Sequence, residues 1–175
     1  MRRYFFATVA VGPDSRCSRH DDDATPAAVT SAPAYGEVMA RYVIDAPTLL
    51  HLVDGELAVS PDHQLVAPNS IRSEALLLLL RDVRRGARTQ KAALASHEQM
   101  TELKMRLLGD RMSRRTAWQI ALDHDWDTLR DAEYLAVTRL QADALATVDP
   151  DLAARADGVV PVATIQDLLT DERSS

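Results

Sequence analysis

Four carboxylates stand at positions where the fold alone gives little reason to place them. Asp45 ends the apolar run "RYVI" and Asp149 follows "ALATV", while Glu74 and Asp131 lie in helical segments that are otherwise largely apolar. Carboxylates that are buried together repel one another and shift their pKa values unless a cation lies between them. Carboxylate oxygens are the ligands that hard ions such as Mg²⁺ and Mn²⁺ prefer. If the four acids converge, they predict a divalent-metal site of the kind that serves phosphate chemistry.

Helix capping is the simpler explanation for two of these acids. Asp45 precedes the helical pattern "APTLL", and an Asp there accepts hydrogen bonds from the free N–H groups of the first turn. Asp149 opens "DPDL", in which a Pro takes the first helical position, and this is a favourable helix start. Capping leaves Glu74 and Asp131 unexplained, so both interpretations stand at the level of sequence.

Other kinds of functional site find no support in the sequence. The single cysteine, Cys17, excludes an internal disulfide framework and a Cys-based zinc cluster, and the five histidines lack the spacing of metal ligands. No G-x-x-x-x-G-K-[ST] phosphate loop occurs, which disfavours nucleotide hydrolysis. The acidic segment "DHDWD" lacks the central Gly and the distal Glu of a calcium-binding EF-hand, so we expect a polar helix connection there.

Short apolar strands alternate with helices along the chain. The periodicity predicts strands at 40–44, 63–68, 143–148 and 158–163. It predicts helices at 47–55, 70–86, 89–109, 113–125 (with Ser113 as cap), 128–141 (with Thr128 as cap) and 150–156, and a final turn at 165–169. Strands alternating with helices predict an α/β/α sandwich with a short central parallel sheet. Ligands bind such sheets at the carboxyl edge, where Asp45 and Asp149 both end strands.

The chain divides by composition into a leader and one globular domain. Residues 11–38 mix Pro, Ser, Ala, Asp and Gly without periodicity, so we expect residues 1–38 to form a disordered extension and residues 39–175 to form the domain. The opening "MRRYFFATVAVG" is a poor secretory signal because its apolar run is short and no convincing cleavage site follows. No apolar run approaches the roughly 20 residues that span a bilayer. These features favour a cytoplasmic protein without a membrane partner.

The net charge of −6 conceals a basic central region. Residues 72–115 hold eleven Lys/Arg against five Asp/Glu, whereas residues 116–175 hold four against twelve. Four arginines would line one helix face if helicity continued past Gly86, and RNA phosphates are candidate partners for them: Arg81, Arg84, Arg85 and Arg88. The alternatives are an ordinary solvated face and a surface that binds a protein partner or a second copy of the chain. Trp118 has core-like spacing with Ala121 and Leu122, which predicts that it is packed inside.

Several blocks of the sequence together resemble a known family. The blocks "YVIDAPTLL", "APNSIRSEALL", "RDAEYLAVTRLQADALATVDPDLA" and "VVPV" are similar to the successive blocks of PIN-domain ribonucleases, specifically the VapC-like toxins of bacterial toxin–antitoxin pairs. The resemblance spans nearly all of residues 40–165. It implies a PIN-like fold for the α/β/α sandwich, an antitoxin partner encoded beside the protein, and a homodimer.

The resemblance also implies a site. The acidic quartet of the family falls on Asp45, Glu74, Asp131 and Asp149, with Thr147 as a supporting hydroxyl. The implied reaction is Mg²⁺- or Mn²⁺-assisted hydrolysis of RNA phosphodiester bonds, without a protein nucleophile. Asp45 and Asp149 would bind metal directly, Asp131 would bind metal or its water ligands, and Glu74 would bind metal or position the attacking water.

Two departures from the family pattern keep a second function open. Many relatives carry Ser or Thr two residues after the first Asp, whereas here that position is Pro47 and the nearest hydroxyl is that of Thr48. Position 130 is often aromatic but is Arg130 here, which could pair with a site carboxylate or reach a substrate phosphate. The alternative is therefore a non-catalytic PIN-like protein that binds RNA or a protein partner through its basic region.

Overall fold

The computed structural model describes residues 39–169. The prediction of a disordered extension over residues 1–38 lies outside these described residues. The strands are β1 (Ala40–Ile44), β2 (His63–Pro68), β3 (Arg106–Leu108), β4 (Ala144–Ala146) and β5 (Val162–Ala163). The helices are α1 (Ala46–Asp54), α2 (Ile71–Arg84), α3 (Gln90–Glu102), α4 (Arg111–Asp123), α5 (Arg130–Gln141) and α6 (Pro150–Ala156), followed by a 3₁₀ turn at Gln166–Leu168.

All five strands form one parallel sheet in the order β3-β2-β1-β4-β5. The chain builds outward from β1 to β2 and β3, and then returns to place β4 and β5 on the other side of β1. The order therefore reverses between β1 and β4, and in open parallel sheets the ligand crevice lies at the carboxyl ends of the strands at such a point. Asp45 directly follows β1 at this edge.

Helices flank the sheet on both faces, which confirms the expected α/β/α sandwich. Helix α5 packs on β1, β2 and β4, with α4 against it, while α1, α2 and α3 pack on one another. Helix α5 is buried around most of its circumference, because it packs on both the sheet and α4: its buried apolar residues are Ala132, Tyr134, Leu135, Ala136 and Val137. Within residues 39–169, no helix is long and apolar enough to cross a membrane.

The sequence predictions fail at one strand and two caps. The helix expected at 89–109 stops at Glu102, and residues 106–108 form the unpredicted strand β3, which pairs with β2. A three-residue segment is too short to show a hydrophobic period, so pairing with the neighbouring strand determines its conformation. Asp110, and not Ser113, caps α4, because its Oδ1 accepts the Ser113 N–H at 2.8 Å. Helix α5 begins after Leu129 without a side-chain cap, so Thr128 is not its cap.

Candidate active site

Asp45 is buried at the carboxyl end of β1, with 1% of its surface exposed. Its Oδ1 accepts the Thr48 N–H at 3.0 Å, so it does cap α1. Its Oδ2 accepts the Thr147 hydroxyl at 2.8 Å. Burial raises the pKa of Asp45, hydrogen bonds from Thr48 and Thr147 lower it in part, and the negative charge of Asp149 raises it further. Asp45 therefore combines a helix cap with a buried position beside a second acid.

Asp149 is brought beside Asp45 by the pairing of β1 with β4. Ile44 is in register with Ala146, so the next residues, Asp45 and Thr147, lie side by side. The Thr147 Oγ1 that donates to Asp45 also accepts the Asp149 N–H at 3.0 Å. Asp149 Oδ1 caps α6 by accepting the Asp151 and Leu152 N–H groups. Asp45 and Asp149 therefore each cap a helix and also lie beside one another, and the Thr147 hydroxyl makes a hydrogen bond with both residues.

Glu74 reaches the same edge from the first turn of α2, which starts after β2 ends. Its Oε2 accepts the Tyr134 hydroxyl at 3.1 Å and the Arg130 Nε–H at 3.0 Å. Arg130 and Tyr134 are four residues apart and share one face of α5, so both can reach one carboxylate. Burial, followed by the charges of Glu74 and Asp45, raises the pKa of Tyr134 well above its usual range. Tyr134 is thus a neutral donor that lies between the two acids.

Asp131 lies in the first turn of α5 and pairs with an arginine of α6. Arg155 Nη1 is 2.5 Å from Asp131 Oδ2, and the Arg155 guanidinium also lies over the Trp126 ring, 5.4 Å from its centroid. The hydrogen bond to Glu74, assisted by the charge of Asp131, raises the pKa of Arg130. Asp131 is thereby linked to the rest of the cluster through Arg130.

The four predicted acids lie in two kinds of environment. The carboxylates of Asp45 and Asp149 both accept backbone N–H groups, and that of Asp45 also accepts the Thr147 hydroxyl, whereas Glu74 and Asp131 are each paired with an arginine. Among residues 39–169, no three His, Cys, Asp or Glu side chains are arranged to hold a metal ion together. The chemistry of the donors nevertheless fits a hard cation, because all are carboxylate oxygens and Asp45 is buried beside a like charge.

The four arginines that we expected on one helix face have different environments. Helix α2 ends at Arg84 and Gly86 has a φ of 74°, so the helical spacing does not continue to Arg88. Arg88 forms an ion pair with Asp54 and donates to Ser96 at 2.6 Å, and Arg85 pairs with Asp82 at 2.6 Å. Arg81 and Arg84 are exposed. The four side chains therefore do not form one free basic face.

Sequence reasoning missed Arg155 and the role of Tyr134. Nothing in the sequence relates Arg155 to Asp131, because the pair forms only where α6 meets α5. Tyr134 does carry a signal, since it stands inside "DAEYLA" four residues after Arg130 on a helical pattern. Trp118 is another difference: it is 58% exposed, so the prediction that it packs inside is wrong. Trp126 is half-buried against the core and supports Arg155.

Comparison with solved structures identifies the fold. No family model and no curated protein matches the chain. The structure is similar to that of PAE2754 from Pyrobaculum aerophilum, a PIN-domain protein, with a TM-score of 0.54 and 20% identity over 73% of this chain and 92% of that chain. VapBC-1 from nontypeable Haemophilus influenzae is more distant, with a TM-score of 0.49 and 13% identity over 71% of this chain and 97% of that chain. The likeness to PAE2754 confirms the expected PIN-like fold.

Proposed function

We propose that the protein is a Mg²⁺- or Mn²⁺-dependent ribonuclease that acts as the toxin of a toxin–antitoxin pair. The observation that carries the proposal is the buried carboxylate of Asp45, which lies beside the like charge of Asp149 at the switch point of a PIN-like sheet. Keeping this charge buried raises the free energy of the folded state, which indicates a role beyond capping. A divalent cation is the partner that would remove the penalty.

The ligands in this proposal are the four acids of the cluster. Asp45 and Asp149 would hold the ion, and Glu74 and Asp131 would complete the site after leaving their arginines. A bound Mg²⁺ or Mn²⁺ supplies an activated water and stabilises negative charge on the scissile phosphate. The site offers no Ser, Cys or His in a nucleophilic arrangement among the residues that surround the four acids, so hydrolysis by water is the proposed reaction.

The neighbouring side chains hold these acids in place. Thr147 donates to Asp45 and accepts from the Asp149 N–H, which fixes the spacing of the two acids. Thr48 Oγ1 accepts the Val148 N–H at 3.0 Å and so ties the start of α1 to the end of β4. Tyr134 donates to Glu74 from the protein interior. Such supporting hydrogen bonds orient ligands and tune affinity in known metal sites.

An exposed face of α4 supports RNA as the substrate. Three arginines and a tryptophan follow one another at helical spacing on this face and are all exposed: Arg111, Arg114, Arg115 and Trp118. Within residues 39–169, none of these arginines forms an ion pair. Arginines bind phosphates, and an exposed aromatic ring stacks on unpaired bases. This face is a better RNA surface than the end of α2, where Arg85 and Arg88 are already paired.

The antitoxin and the homodimer remain proposals that rest on the sequence resemblance. Helix α2 begins at the site with Glu74 and then exposes three leucines, Leu76, Leu77 and Leu80, each 45% exposed. An exposed apolar stripe of this kind suits an apolar segment of a partner. Leu94 of α3 is 51% exposed and is a candidate for the contact between two copies of the chain.

Cleavage of RNA by the purified full chain tests the proposed function. We expect cleavage of structured RNA with Mn²⁺ or Mg²⁺, and none with EDTA or in the variant Asp149→Asn. Asn retains the capping ability of Asp149, so the variant isolates the loss of charge. Cleavage that survives EDTA or the substitution would contradict the proposal.

A non-catalytic RNA-binding protein is the second candidate, and the two arginine pairs favour it. Arg130 and Arg155 neutralise Glu74 and Asp131 without any metal. A protein that only binds RNA should keep its RNA affinity in EDTA and in Asp149→Asn, and should cleave nothing. A nuclease should show RNA cleavage that requires both the metal and the intact carboxylate.

A further inference from the structure

Glu74 and Asp131, the two acids that cap no helix, are each held by an arginine. Arg130 contacts Glu74 and Arg155 contacts Asp131, each through one nitrogen of its guanidinium. In both pairs the carboxylate side chain is 18% exposed, whereas the arginine side chains are 48% and 47% exposed. The carboxylates are therefore anchored in the protein, and the arginines are the partners with room to move.

Within the described residues, the guanidiniums of Arg130 and Arg155 each have N–H groups without a hydrogen-bond acceptor. Arg130 uses Nε, and Arg155 uses Nη1, so within the described part of the chain the other nitrogens make no hydrogen bond to a protein acceptor. A guanidinium matches the oxygens of a phosphate in a bidentate manner. Arg155 also rests over the Trp126 ring, a contact that does not involve Asp131. It can therefore stay at the site after it leaves the carboxylate.

A guanidinium and a divalent cation compete for the same carboxylate oxygens. While Arg130 and Arg155 occupy Glu74 and Asp131, only Asp45 and Asp149 are without a cationic side chain in the cluster. Half-exposed ion pairs are weak, so their displacement by a divalent ion requires little free energy.

We propose that Arg130 and Arg155 form a two-position switch that couples metal binding to RNA binding. This inference rests on the proposed function. In the first position the arginines neutralise Glu74 and Asp131, and the site has low affinity for metal. In the second position the carboxylates take the metal and the freed arginines bind the phosphates of the RNA. By linkage, RNA then raises the affinity for metal and metal raises the affinity for RNA by the same factor.

Calorimetric titration of the full chain with Mn²⁺, after removal of metal by EDTA, tests the first position. The proteins to compare are the wild type, Arg130→Gln, Arg155→Gln and the control Arg139→Gln. Arg139 is exposed on α5 and makes only a 3.4 Å contact with the Val159 carbonyl, so its loss removes one charge away from the cluster. We expect Mn²⁺ affinity to rise about three- to fivefold in each test variant and to change much less in the control.

Anisotropy of a labelled, phosphorothioate-linked RNA in EDTA and in Mn²⁺ tests the second position. Mn²⁺ should tighten RNA binding by the wild type, and this gain should fall by at least half in Arg130→Gln and in Arg155→Gln. Variants that bind Mn²⁺ no more tightly than Arg139→Gln, or that keep the full gain, would overturn the switch alone. Absence of Mn²⁺ binding in all four proteins would overturn the proposed function together with the switch.

Discussion

Replacement of Asp45 by Asn should stabilise the metal-free protein, although it removes a side chain at the centre of the site. The Asn carbonyl can accept the Thr48 N–H, and its amide can donate to Thr147 Oγ1, which has a second lone pair beside the bond from the Asp149 N–H. The cap and the contact between strands are therefore kept, whereas the buried charge and the acceptor of the Thr147 hydroxyl proton are lost. Burial raises the pKa of Asp45, so its charged form destabilises the folded state at neutral pH. We expect a gain in the free energy of unfolding of about 1 kcal/mol.

Asp45→Ala is the matched variant that loses the hydrogen bonds as well as the charge. Loss of the cap costs about 1 kcal/mol, and the unpaired Thr147 hydroxyl in a part-buried setting adds about 1 to 2 kcal/mol. These losses exceed the relief of charge, so the variant should be about 1 to 2 kcal/mol less stable than the wild type. The Asn and Ala variants should therefore differ by about 2 to 3 kcal/mol.

Urea denaturation in EDTA, followed by circular dichroism at several pH values, measures these differences. Because the pKa of Asp45 is raised in the folded state, its protonated form favours folding. That contribution is fully present below the ordinary pKa of 3.8 and is lost as the pH rises through the folded value. The advantage of Asp45→Asn should thus be near zero in acid and largest at neutral pH. A wild type that is more stable than Asp45→Asn at neutral pH in EDTA would refute the reasoning.

Three further substitutions probe the surroundings of the site. Arg88→Ala should lower the free energy of unfolding by about 1 kcal/mol in urea titrations, because it removes the ion pair that holds the pKa of Asp54 low, whereas Arg84→Ala should change it by less than about 0.5 kcal/mol. Equal losses of stability in Arg88→Ala and Arg84→Ala would contradict a stabilising role for the ion pair of Arg88. Thr147→Val should weaken Mn²⁺ binding about tenfold in calorimetry, and an unchanged affinity would argue against its support of the acids. Trp118→Ala should weaken RNA binding by about fivefold or more in anisotropy without loss of stability, and unchanged binding would exclude the α4 face.

The sequence predicted best those strands whose signal lies within a few neighbouring residues. The strands Ala40–Ile44 and His63–Pro68 have the predicted bounds, because each is an apolar run closed by a helix start or a turn. Strand β3 was missed because three residues carry no periodicity and acquire their conformation by pairing with β2. The cap of α4 was predicted three residues too late. Asp110 and Ser113 are both good cap residues, and the point at which β3 ends determines which of them starts the helix.

The neighbouring positions of Asp45 and Asp149 were predictable, whereas the arginine contacts of the other two acids were only partly so. Asp45 and Asp149 could be placed together because parallel strand ends share an edge. The pair of Arg130 with Glu74 was one of two alternatives that the sequence left open, and the structure has that ion pair. Arg155 could not be found, because its partner belongs to another helix and the contact depends on packing. Helical spacing likewise did not predict the positions of the arginines, because Gly86 interrupts the helical conformation before Arg88.

Anomalous diffraction from crystals grown with Mn²⁺ tests most directly whether the four acids act as one divalent-metal site. We predict an anomalous peak at about 2.0 to 2.5 Å from carboxylate oxygens of Asp45 and Asp149. We also predict that Arg130 and Arg155 have moved off Glu74 and Asp131 in that state. Crystals at saturating Mn²⁺ with no peak beside Asp45, and with both arginines still on their carboxylates, would contradict the account.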